Sequence, residues 1–65
     1  MTKTEAIQEM KKGKKVRHRH FADYAFMAIN SDGEYVFEDG VLCDPFMFWK
    51  DRNSMDWQED WEIVN

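Results

Sequence analysis

The sequence predicts an α+β fold: a short N-terminal helix packed on a small antiparallel β-sheet, in one domain spanning residues 1–65 and assembled as a homo-oligomer. Three observations point there. A helical apolar stripe is confined to the first thirteen residues. Short runs rich in β-branched and aromatic residues then follow, separated by turn-forming clusters. Finally, 65 residues bury a small share of their surface, and a small core barely offsets the entropy of ordering the chain. Chains of this size find help in disulfides, metals or partner subunits. The single cysteine, Cys43, excludes an internal disulfide. One cysteine and two histidines make a four-ligand zinc site improbable. Oligomerisation and an aromatic core remain, and three Trp, two Tyr and five Phe favour both.

The elements follow in order. In "MTKTEAIQEMKKG", Thr2 and Glu5 have capping-box spacing. Ala6, Ile7 and Met10 form a narrow apolar stripe. Lys11 and Lys12 suit the negative end of the helix dipole, and Gly13 suits the left-handed stop. "KKVRHRHF" reads as a strand with Val16, His18 and His20 on one face and Arg17 and Arg19 on the other. "DYAFMAI" and "EYVFE" read as a hairpin around the turn Asn30–Gly33, with Tyr35 and Phe37 sharing a face. "EDG" turns the chain into a short "VL". Pro45 makes "CDP" a connection. "FMFWK" is a strand or a buried turn, between which periodicity does not choose. "RNSMDWQED" is a loop with a helical turn that Ser54 caps, and "WEIV" is a closing strand.

Charge is unevenly spread. Residues 1–20 carry seven Lys/Arg and two Asp/Glu, a balance of +5, whereas residues 21–65 carry two and eleven, a balance of -9. The common explanation is solubility, with opposite signs pairing across the surface. A duplex-DNA binder is basic as a whole domain, and this acidic remainder repels a phosphate backbone, so duplex nucleic acid is not an expected partner. No stretch is long enough to span a bilayer and no apolar run follows the first lysines, so the expected setting is cytoplasmic, without membrane. A lone thiol fits a reducing compartment.

Catalysis and metal chemistry find weak support. His18 and His20 sit two apart, which is not a zinc signature. Cys43 with a histidine could form a nucleophile and base, but one Cys and two His coexist by chance in many chains. The expectation is a protein that is not an enzyme and uses no cofactor. Phe46, Phe48, Trp49, Trp57 and Trp61 read first as core. Yet acids surround Trp57 and Trp61, and arginine, histidine and aromatic rings are what a nucleotide site uses.

Two stretches carry a resemblance. "EAIQEMKKGKKVRHRHF" (Glu5 to Phe21) and "MDWQEDWEIVN" (Met55 to Asn65) resemble the two ends of the phage-encoded Thoeris anti-defence proteins of the second type and their wider domain family, over about 28 of the 65 residues. That family opens with a helix containing "EA", a "GKKV" turn into a strand, a basic residue two after the valine and a tryptophan five after it. It ends on a phrase like "DWEIV". The resemblance implies a sponge that sequesters an immune signalling nucleotide, a cyclic oligonucleotide or cyclic ADP-ribose-type messenger, without cleaving it. It also implies a homo-oligomer with pockets between subunits, working in the bacterial host cytoplasm. Val16 matches the family valine. His18 stands where the family has its basic residue and Phe21 where it has its tryptophan. Asp60 and Trp61 match the terminal "DW". On this reading Arg17, His18 and His20 lie near phosphates, Phe21 and Trp61 near bases, and Asp60 near ribose. Arg19 is a weaker candidate, and Trp49 and Trp57 lie further out. The alternative is a direct inhibitor of a host defence protein, presenting an acidic, aromatic surface that includes Asp51, Asp56, Glu59 and Glu62.

Overall fold

The computed structural model describes residues 1–65. Helix α1 spans Lys3–Lys11 and starts at a complete capping box. The Thr2 hydroxyl accepts from the Glu5 amide at 3.1 Å, and the Glu5 carboxylate accepts from the Thr2 amide at 2.8 Å. The bond from the Thr2 amide, with a smaller contribution from the Thr2 side chain, holds the Glu5 carboxyl below its ordinary range. Gly13 leaves the helix at φ 91°, a left-handed conformation that disfavours a side chain.

Five strands follow: β1 (Lys15–His18), β2 (Met27–Ile29), β3 (Tyr35–Phe37), β4 (Leu42–Cys43) and β5 (Trp61–Val64). They form one antiparallel sheet in the order β4-β3-β2-β1-β5. The α+β architecture therefore stands as expected. Register places Val16 opposite both Met27 and Ile63, and Met27 opposite Phe37. These residues share the face that carries the core. Ala6 and Met10 of α1 join Val16, Met27, Tyr35, Phe48 and Trp61 in that core. By strand alternation, Arg17, Glu62, Ala28, Val36 and Leu42 point to the opposite face.

Three segments differ from the sequence reading. "FMFWK" is neither strand nor buried turn. It lies in a helix, α2 (Pro45–Lys50), and its signals were present in the residues before it. The Asp44 carboxylate accepts from the amides of Phe46 at 2.8 Å and Met47 at 3.4 Å, and Pro45 supplies a helical φ at the first position. The strand read through "KKVRHRHF" stops at His18. There the Phe21 amide donates to the His18 carbonyl at 2.9 Å, turning the chain. Likewise only Met27–Ile29 of "DYAFMAI" is strand. A 3-10 turn (Met55–Gln58) begins after Ser54 as expected, although the Ser54 side chain makes no capping bond. No helix is long and apolar enough to cross a membrane.

Candidate functional site

The pairing of β1 with β5 builds the site. Arg17 sits opposite Glu62, and its Nη1 donates to Glu62 Oε1 at 3.0 Å. Its Nη2 makes only long contacts, at 3.4 and 3.5 Å to the carbonyls of Phe21 and Ala22 and at 3.7 Å to the Asp23 carboxylate. Its Nε is buried and has no partner. Just beyond the end of β1, the Arg19 amide donates to the Asp60 carbonyl at 3.1 Å. Arg19 Nη2 lies 3.6 Å from Asp60 Oδ2, an ion pair too long for a good hydrogen bond.

Asp60 has φ 69°, the one residue other than glycine in the left-handed region. Asp tolerates that conformation better than most side chains, at some cost. At this corner the chain leaves the 3-10 turn and enters β5. On the outer edge of β5, the Trp61 amide donates to the Met1 carbonyl at 3.1 Å and the Met1 nitrogen donates to the Trp61 carbonyl at 2.7 Å. These groups surround an open cleft of about 750 Å³, lined by Met1, Arg17, Arg19, Asp23, Glu59, Asp60, Trp61 and Glu62. Two guanidiniums thus face four carboxylates. The exposed Arg19–Asp60 pair holds weakly, so a ligand can displace it at small cost.

His18 is not part of that surface. Its ring is fully buried on the core face. The His20 amide donates to its Nδ1 at 3.0 Å, so Nδ1 is the bare nitrogen and Nε2–H donates to the Asp56 carbonyl at 2.9 Å. One neutral tautomer satisfies both bonds. Around the ring stand Trp57 at 4.3 Å, Trp61 at 5.0 Å and Phe21 at 6.4 Å between centroids. The Trp61 indole is buried too, and its Nε1–H donates to the Trp57 carbonyl at 2.8 Å. Placing His18 near phosphates and the Trp61 ring near a base is therefore corrected. Both side chains hold the site's backbone from behind and offer it no accessible ring.

The other expected residues separate. Arg17 and Asp60 come together in the cleft, as does Arg19, the weaker candidate. His20 is half-exposed outside that lining, its Nε2 3.8 Å from Asp56 and its ring 5.3 Å from Trp57. Phe21 is half-buried and packs edge-on against Trp61 at 5.7 Å. Trp49 packs on the core and donates from Nε1 to the Tyr35 hydroxyl at 2.7 Å. Burial, opposed by that bond, raises the Tyr35 phenol above its ordinary value. Asp23, Glu59 and Glu62 escaped the sequence reading as cleft residues. Glu62 was recoverable from the pairing of "WEIV" with β1, whereas the contact of Asp23 with Arg17 depends on the turn after His18. The Cys43 thiol contacts the Asp44 carbonyl at 3.5 Å and has no histidine partner. No cluster of three or more His, Cys, Asp or Glu side chains is placed to hold a metal ion. Comparison with protein-family models, with curated proteins and with solved structures finds no match for this chain.

Proposed function

We propose that this chain is a binding protein without catalytic activity, which sequesters a nucleotide-type signalling molecule in the cleft at the corner where β1 ends and β5 begins. The observation that carries the reading is Asp60. A left-handed carboxylate faces Arg19 at the mouth of a cleft where two guanidiniums have donor atoms held only by long contacts. Guanidiniums pair with phosphate oxygens in fork geometry. Carboxylates accept from ribose hydroxyls, as in dinucleotide sites. A volume of about 750 Å³ falls within the ordinary span of small-ligand sites. The resemblance of both chain ends to the anti-defence sponges supports the same ligand class. Sequestration is stoichiometric, so it needs affinity near the nanomolar range, about -12 kcal/mol.

The test mixes the purified protein with cyclic oligonucleotides and cyclic ADP-ribose-type molecules and follows free ligand. Depletion, followed by release of the unchanged molecule on heating, is expected. No depletion by any candidate, or release of a cleaved product, refutes the reading.

A second reading, inhibition of a host defence protein, draws on one observation. Met55 is 82 % exposed and the neighbouring Asp56 carboxylate is exposed beside it. Apolar side chains flanked by acids suit a protein interface. Neutralising Asp51 and Asp56 leaves the cleft lining intact. A host protein that co-purifies with the native chain and is lost from that variant would favour this reading over the first.

A further inference from the structure

The cleft at the start of β5 is not a basic site. Arg17, Arg19 and the Met1 ammonium stand there against Asp23, Glu59, Asp60 and Glu62, three cations against four carboxylates. The ammonium is turned to the Trp61 carbonyl at 2.7 Å. The two guanidiniums are not equally free. Arg17 lies opposite Glu62 in the β1–β5 register and binds it at 3.0 Å, with little of its side chain exposed. Only its Nη2, on contacts of 3.4 Å and longer, is left to offer. Arg19 is 61 % exposed and its pair with Asp60 is loose, at 3.6 Å. One phosphate can therefore be met, by Arg19 with Nη2 of Arg17 beside it. A second would break the Arg17–Glu62 pair and strand a further carboxylate.

The remaining acids have the opposite requirement. Once an anion takes Arg19, Asp60 loses its partner. Glu59 makes no ion pair. Asp23 is fully exposed and has only the 3.7 Å contact with Arg17. Three acids thus face a cleft whose free positive charge is committed to one anion. Ribose hydroxyls can donate to them but leave their charge in place. A positive group on the ligand offsets it. We infer that the cleft selects a zwitterionic nucleotide, with one phosphate toward Arg19 and a cationic base facing Asp23, Glu59 and Asp60. The inference rests on the nucleotide reading above and narrows it. Ligands whose charge is wholly negative, cyclic oligonucleotides among them, are disfavoured.

Two isomers of methylated adenosine monophosphate test it by NMR titration at neutral pH. Methylation on the ring nitrogen N1 makes the base cationic. Methylation on the exocyclic nitrogen leaves it neutral, with the same phosphate, ribose and atom count. The cationic isomer should bind the native protein about threefold to tenfold more tightly, as one or two exposed charge contacts allow. That preference should shrink as salt is raised. Asp23→Asn with Glu59→Gln should bring the isomers within about twofold of each other, at unchanged circular dichroism, since both side chains are exposed. A native protein that binds the isomers equally, or prefers the neutral one, overturns the inference and leaves the nucleotide reading standing. Binding of a cyclic dinucleotide but of neither isomer does the same. A preference that survives in the double variant also overturns the inference. If no nucleotide of any kind binds, the inference and the nucleotide reading fail together.

Discussion

Replacing His18 by leucine tests whether this histidine is structural. The substitution removes both ring nitrogens while roughly keeping the volume. The Asp56 carbonyl and the His20 amide, 2.9 and 3.0 Å from the ring, then lose their partners. Each part-buried backbone group left unpaired costs about 1–2 kcal/mol, hence about 2–4 kcal/mol for the two. The added apolar surface returns less than about 1 kcal/mol. The lost ring contact with Trp57, at 4.3 Å, costs a similar amount, about 0.5–1 kcal/mol. The net loss is about 2–4 kcal/mol. A chain of 65 residues has about 3–10 kcal/mol of stability in total. His18→Leu should therefore unfold a measurable fraction of the protein without denaturant, or lower the urea midpoint sharply at unchanged slope. His18→Asn supplies a control. Its amide oxygen lies near the position of Nδ1 and can accept from His20, so it should keep about half of the loss back. Nitrogen NMR of the native ring should show the proton on Nε2 alone. A leucine variant within about 0.5 kcal/mol of native, or an asparagine variant no better than leucine, refutes the argument.

Three further outcomes are expected. Tyr35→Phe strands the Trp49 indole N–H and should cost about 1–2 kcal/mol by urea titration. Because burial raises the Tyr35 phenol in the folded state above its ordinary 10.0, its contribution is present in full below that value and is lost as pH rises through the folded one. The native chain should weaken on the alkaline side, and Tyr35→Phe should remove that share of the decline. Glu5 behaves oppositely: its folded value lies below 4.5, so its contribution is present above 4.5 and is lost as pH falls. Glu5→Gln, which removes the titrating carboxyl, should flatten the acid limb of a melting-temperature profile. At Asp60, asparagine tolerates the left-handed backbone, so Asp60→Asn should keep stability while weakening nucleotide binding by about tenfold or more in calorimetry. Asp60→Val should instead destabilise the fold by about 1–2 kcal/mol.

Local signals were legible in the sequence where one short segment supplies all its own partners. Thr2 and Glu5 cap each other, Gly13 ends its own helix, and the Asn30 side chain accepts from the amides of Asp32 and Glu34 within its turn. The order of elements followed. What the sequence hid depends on distant partners. His18 looks like a surface residue in "RHRH" because its acceptor, the Asp56 carbonyl, lies 38 positions away. Strand alternation carried past His18 put His20 beside Val16, and the turn that cancels this is closed by the His18 carbonyl and ring nitrogen. For α2 the error was of another kind. Pro45 was read as a breaker, but after Asp44 it is a starter, since a proline at the first helical position gives up no bond the helix needs. The cleft was half legible. Arg17 and Asp60 were named, while the role of Arg19 follows only from the end of β1.

The pairing of β1 with β5 sets the order in which the protein can assemble itself. The β2-β3-β4 meander draws on neighbours in the chain and can close early. Its neighbour, β1, has just one register pair with β2 but four with β5. Its longer alliance joins strands at opposite ends of the chain, Lys15–His18 with Trp61–Val64. Contacts that close so long a loop slow folding. Until β5 docks, Val16 and Met10 lack the Trp61 ring that completes their cluster, so a chain without β5 in place leaves its apolar stripe uncovered. The same strand that frames the cleft is therefore the last to be secured, and a lesion in β5 should be felt first as poor yield of folded protein.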